Sequence, residues 1–233
     1  MNKRQRQIID LSLSVDADLP NASVEPFKSI EADGWRATML RLYSHCGTHM
    51  DAPCHFLPSG QTLDQLNLDA CCGEARIVNL APVQPSELIT LERFQAAAGD
   101  SLPPGQRLLL RTDWCNRFPN PQYRDALPRI SLELAQWFVA QQVRLVGVEP
   151  PSVADVNNRV ELTNVHQTLF RGGIVIVEGL ANLDQIDGDT CEFVALPLRI
   201  SGGDGCPVRA IAILPGDEPE AVNTFGFATG VGE

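Results

Sequence analysis

The chain has 233 residues, of which 44% are hydrophobic. That is enough apolar material for one sizeable core, and a single domain over 1–233 is the expectation. A formal net charge of −11 excludes the basic surface needed for nucleic acid or anionic lipid, so no nucleic acid or membrane partner is expected. No run approaches the roughly 20 apolar residues that cross a membrane, and behind the basic start only Ile8-Ile9 is apolar, too little for a signal peptide.

In chain order, a strand is predicted over 35–43. It leads into His45-Cys46-Gly47-Thr48-His49-Met50-Asp51-Ala52-Pro53-Cys54-His55, which holds three of the four histidines of the chain. Imidazole and carboxylate are the usual ligands of a borderline divalent metal. Positions 45, 49, 51 and 55 are all odd, so an extended chain would project them from one face. Pro53 opposes a helix interior or a central strand, which places the cluster on a strand end and the loop leaving it.

Ala75–Leu80 reads as a strand, and 86–98 as a helix with Ser86 as its cap. Arg107–Arg111 is an apolar strand. A stronger helix runs from Ser131 to Gln142, with Ser131 capping and Trp137 on the core side. Val143–Val148 is a further strand. Leu162–Phe170 has helical apolar spacing that brings in His166, and Gly172-Gly173 ends it. The β-branched run Ile174-Val175-Ile176-Val177 is a buried strand with Glu178 at its carboxyl end, where sites gather in sheets covered by helices. A carboxylate there is costly if buried alone; together with His166 it reads as a second half of the metal site. Phe193–Ile200 and Val208–Leu214 are expected to close the chain as a strand pair around the turn 202–205.

Seven cysteines form no C-x-x-C pair. Cys46 and Cys54 fall on the even face of the metal motif and read as small apolar residues. Adjacent Cys71 and Cys72 suit no ordinary disulfide. The cysteine usage implies a reducing compartment and a cytoplasmic protein.

The pattern H-x-G-T-H-x-D-x-P-x-H-F over 45–56 resembles the signature of the cyclase-like metal hydrolases, a family that includes bacterial kynurenine formamidases and isatin hydrolases. Asp10-Leu11-Ser12, the segment 147–153, Asn182-Leu183-Asp184 and the segment 204–210 resemble further family segments in the same order. The resemblance implies that His45, His49 and Asp51 hold one ion and that Asp51, His166 and Glu178 hold a second. It implies one or two ions, zinc or manganese, with His55 as acid/base and not a ligand. It implies hydrolysis of a C–N bond of a small, aryl-type substrate. It also implies an α/β fold with a mixed, barrel-like sheet and a few outer helices of the swivelling β/β/α type, assembled as a homodimer or homotetramer. Two other functions remain open on the residues: a metal-dependent cyclase or dehydratase, and a non-catalytic metal-binding protein.

The chain departs from the formamidases where substrate is chosen. Their W-P-G-D run is replaced by small residues around Ala22, and Glu149 stands where the family carries aspartate. Trp114, either a core aromatic or a wall of the site, and Phe118 are the remaining candidates for contact with substrate.

Overall fold

The computed structural model describes residues 5–216. Its strands are β1 (Gln7–Asp10), β2 (Ala22–Lys28), β3 (Ala37–Leu42), β4 (His49–Asp51), β5 (Cys72–Asn79), β6 (Leu88–Ile89), β7 (Arg107–Arg111), β8 (Arg129–Ile130), β9 (Leu145–Val148), β10 (Val175–Glu178), β11 (Thr190–Val194), β12 (Gly205–Pro207) and β13 (Ile211–Leu214). Its helices are α1 (Ile30–Asp33), α2 (Leu91–Ala98), α3 (Gln122–Asp125), α4 (Leu132–Ala140) and α5 (Arg159–Arg171).

Nine strands form one mixed sheet in the order β1-β13-β11-β5-β7-β9-β10-β4-β12, curled into a half-barrel. Its centre, β5 to β10, is parallel. Parallel strands are buried on both faces and therefore read as apolar runs. On β7 the side chains alternate as a pleat requires: Leu108 and Leu110 pack with Phe94, Phe138 and Leu169 of the helices, while Leu109 joins the opposite core with Ile77, Phe193 and Ala212.

The helices begin where the sequence offers a side-chain acceptor. Ser131 Oγ accepts the Leu134 N–H at 3.0 Å and starts α4. Asn158 Oδ1 accepts the Glu161 N–H at 3.2 Å and starts α5. Trp137 packs against the core, as its helical position predicts.

Three expectations are corrected. Residues 86–98 are not one helix: Leu88–Ile89 pairs with β8, and Thr90 caps α2 by accepting the Arg93 N–H. Ser86 has a φ of 57°, outside the extended geometry that a cap residue takes. The strand predicted over 35–43 does form, over the shorter span of β3, but among the described residues it pairs only with β2 and stands outside the main sheet. At the end of the chain β11 does pair with β13, Glu192 facing Ile213, yet 195–200 is not a strand. Pro197 there has no N–H to give a ladder. The 202–204 turn instead delivers β12 to β4.

Among the described residues no helix is long and apolar enough to cross a membrane. All seven cysteines are free.

Candidate metal centre and substrate cavity

The register of β4 against β10 sets the centre. His49 lies opposite Glu178 and Asp51 opposite Ile176, so these side chains share one face of the sheet. Met50 and Val177, one residue out of phase, point into the other core. Ile176 belongs to the cluster covered by α5, and α5 brings buried His166 onto the same face. Glu178 turns sharply after its strand. Gly179 has φ 69°, and a Cβ there would meet the Gly47 carbonyl oxygen at 2.4 Å, so only glycine lets the two segments cross. The Thr48 hydroxyl donates to the Gly179 carbonyl at the same crossing.

The extended reading of 45–55 holds only for His49–Asp51. Residues 44–48 form a turn with Gly47 at φ 62°, and Pro53–His55 is a single 3-10 turn. His45 and His55 arrive by these turns, with their rings stacked 3.9 Å apart.

Each of the three most enclosed histidines has one ring nitrogen tied outward and the other aimed at the carboxylates. His49 Nδ1 lies 2.9 Å from the Gly47 carbonyl oxygen, and its Nε2 lies 3.4 Å from Asp51 and 3.3 Å from Glu178. His166 Nδ1 lies 2.8 Å from the Leu162 carbonyl oxygen, and its Nε2 is 3.3 Å from Glu178 and 3.7 Å from Asp51. His45 Nδ1 is 2.7 Å from Asp51, and its Nε2 is 3.1 Å from Asp204. Glu178 is oriented by the Val153 N–H, which donates to it at 2.8 Å. Phe56 stacks on the His166 ring at 4.3 Å.

Such tethering of the second nitrogen is what metal-ligating histidines use to fix their tautomer. Ligand atoms of His49, Asp51 and Glu178 lie within 4.8 Å of one another, as do those of His45, Asp51 and His55.

The electrostatics favour a cation. Burial alone raises the Asp51 carboxyl, but hydrogen bonds from His45 and His49 outweigh it and hold the group well below its usual range. Burial opposes charge on His49 and His166, yet the facing carboxylates raise both above the ordinary histidine value. Two buried carboxylates thus draw positive charge into the centre, from protons or from a divalent ion. Three imidazoles and two carboxylates are a donor set that fits such an ion. His55 behaves differently: burial lowers it, which leaves a neutral imidazole near pH 7. The Cys46 thiol is pushed up by burial and the Cys54 thiol likewise, which disfavours either as a thiolate ligand.

The centre floors a cavity of about 570 Å³, within the range of small-molecule sites. Tyr43, Phe56, Phe118 and Tyr123 supply aromatic lining; Pro20, Pro119, Pro121 and Pro151 add flat apolar surface. Phe118 therefore stands in the wall. Trp114 does not: it is buried with Val83 and Tyr123, and its indole N–H donates to the Tyr123 carbonyl at 2.8 Å. Ala22 is also outside the lining. It starts β2 opposite Leu42, while the preceding Pro20 and Asn21 reach the cavity.

Two carboxylates with a part in this region were given no role at the site from sequence. Asp204 touches the His45 ring and looked like an ordinary turn residue. Glu149 is buried, and one of its oxygens accepts from the Thr112 N–H at 2.7 Å, the Thr112 hydroxyl at 2.9 Å and the Trp114 N–H at 3.1 Å. The Tyr123 hydroxyl donates to the Glu149 carbonyl, tying the cavity wall to the same point. The signal available for Glu149 was a charged residue next to the apolar strand β9.

Fold and donor set together define an α/β protein built around a histidine–carboxylate centre for divalent cations. The Cyclase family model matches residues 9–155, more than half of the chain, and the chain belongs to that family. Kynurenine formamidase of Bacillus thuringiensis (strain Al Hakam) is 36% identical over 175 residues, covering 74% of this chain and 77% of that protein. Isatin hydrolase A from Ralstonia solanacearum superposes with a TM-score of 0.80 at 23% identity, covering 90% of this chain and 92% of the other. Isatin hydrolase A from Labrenzia aggregata, bound to benzyl benzoate, gives 0.79 at 23% identity, with 90% and 94% covered.

Proposed function

We propose that this single-domain chain is a metal-dependent hydrolase that cleaves a C–N bond, in an amide, formamide or lactam, of a small aryl substrate. The observation that carries the reading is the meeting of His49, Asp51, His166 and Glu178, with His45 and His55 beside them, beneath an aromatic cavity. The relatives named for formamide and isatin hydrolysis support it.

His45, His49 and Asp51 would hold one ion, and Asp51, His166 and Glu178 a second, zinc or manganese in either place. When bound, the cation supplies Lewis acidity toward the acyl oxygen and brings a water to a pKa of about 7. The side chains do the rest. Phe118, Tyr123 and Phe56 hold the aryl group flat and exclude bulk water. His55, neutral and only partly enclosed, takes a proton from the attacking water on its imidazole Nε2 and returns it to the departing nitrogen. An amide nitrogen is a poor leaving group until it is protonated.

The β2–β3 hairpin supports self-association as a homodimer or homotetramer. Among the described residues it pairs with no other strand, and it exposes Val24, Phe27, Trp35, Met39 and Leu40; an isolated hairpin is marginal in water and such a patch is normally covered. Seven free thiols suit a reducing compartment, and we place the protein in the cytoplasm.

The test is metal analysis followed by a screen of aryl formamides, isatin-like lactams and simple esters with product identification. A metal-dependent acid-plus-amine or ring-opened product is expected. Full metal loading with no acyl substrate consumed would leave a metal-binding protein; a ring-closed or dehydrated product would make it a cyclase or dehydratase.

A further inference from the structure

Asp204 is outside the donor set, yet the fold delivers it to the centre with care. β12 pairs with β4 so that Gly205 faces Asp51. The Ala52 N–H donates to the Asp204 carbonyl at 2.9 Å, which fixes this backbone against the metal motif. Gly205 then lets the His45 ring lie directly on the strand: a Cβ would sit 2.5 Å from His45 Cε1. With the ring seated there, Asp204 Oδ2 is 3.1 Å from His45 Nε2 and 3.7 Å from His55 Nδ1. The two rings are stacked at 3.9 Å, and the Asp204 carboxylate, half exposed, reaches both.

The outward nitrogens of His49 and His166 face main-chain carbonyls. His45 alone of the three faces a carboxylate with its outward nitrogen. A carboxylate accepting from one imidazole nitrogen fixes the tautomer and makes the other nitrogen a stronger ligand.

We infer that Asp204 is a positioning residue: it holds His45 as the Nε2–H tautomer, with Nδ1 turned to the cation, and keeps His55 aligned on the stacked ring. The inference rests on the proposed function. It adds the C-terminal segment to a site whose donors all come from earlier in the chain.

The experiment uses the full chain, stripped with chelator and titrated with zinc and with cobalt(II), as Asp204→Ala and Asp204→Asn beside the unaltered protein. Asp204→Ala should weaken metal binding by about 10–100-fold, the usual effect of removing such a partner, and should shift the visible cobalt spectrum. Asp204→Asn keeps an oxygen that accepts from Nε2–H, so it should restore the spectrum and most of the affinity. Unchanged affinity in Asp204→Ala, or no rescue by Asp204→Asn, overturns the inference and leaves the hydrolase reading intact. Failure of the unaltered chain to bind either metal removes both.

Discussion

Asp51 faces three of the histidines in the centre, and Asp51→Asn removes its charge while keeping its shape. It lies 2.7 Å from His45, 3.4 Å from His49 and 3.7 Å from His166, so in the proposed assignment both halves of the site would lose a shared ligand. The magnitude follows from linkage. Zinc at about 100 times its Kd, bound only by the folded chain, adds about 2.7 kcal/mol of stability. For a chain of this size 1 kcal/mol moves Tm by about 2–4 °C, so zinc should raise Tm of the unaltered protein by about 5–11 °C. Loss of the bridging charge should weaken binding at least about 100-fold, more than the loss of an outer partner. At the same zinc concentration the variant then gains only about 0.4 kcal/mol, a shift of about 1–2 °C. Calorimetry of chelator-stripped protein, with and without zinc, reads the difference. Equal zinc-induced shifts in the two proteins would show that Asp51 is not a ligand, and the reasoning about the shared vertex would be wrong.

His55→Ala should retain zinc and lose turnover by about 10²–10⁴; metal analysis beside the assay decides, and zinc loss equal to that of Asp51→Asn would make His55 a ligand. Glu149→Ala strands three buried donors and should cost at least about 3 kcal/mol in urea denaturation. Burial raises the Glu149 carboxyl above its ordinary value, so its protonated form stabilises the fold below the unfolded value of 4.5, and that stability is lost as pH rises through the folded value. Glu149→Gln, neutral throughout, should flatten this fall; an unchanged pH profile of the urea midpoint contradicts it. Gly205→Ala should displace the His45 ring and weaken zinc binding by about tenfold or more without unfolding the chain, with wild-type zinc affinity as the disproof. Phe118→Ala removes one wall ring and should raise KM by up to about tenfold with little change in kcat; a KM that does not move places the aryl group elsewhere.

Much of the α/β frame was legible because its parts are locally determined. The apolar run at Leu108-Leu109-Leu110 and, from Val175 on, the run Ile174-Val175-Ile176-Val177 became central strands, and Ser131 became a cap because its side chain meets an amide three residues on. The failures are equally physical. Ser86 looked like a cap, but Leu88–Ile89 found a partner at Arg129–Ile130, and that distant pairing displaced the helix start to Thr90. Phe118 was a candidate wall aromatic, and Trp114 was open between wall and core. Which of them faces the cavity depends on how Asp113 and Glu149 turn the segment, and no nearby residue announces that.

The sequence by itself determined the chemistry of the centre. Imidazoles and a carboxylate packed into 45–55, with His166 and Glu178 flanking a helix–strand junction, mark a mixed histidine–carboxylate site suited to a divalent cation, because donor type is a property of side chains alone. Only the tertiary structure decided the geometry: His49 across from Glu178, His166 lowered onto them by α5, and Asp204 laid against His45 by β12. Those neighbours are set by strand register and helix packing between segments more than a hundred residues apart: the alternation within each strand fixes which face its side chains take, while which distant strand it meets is settled by the whole fold.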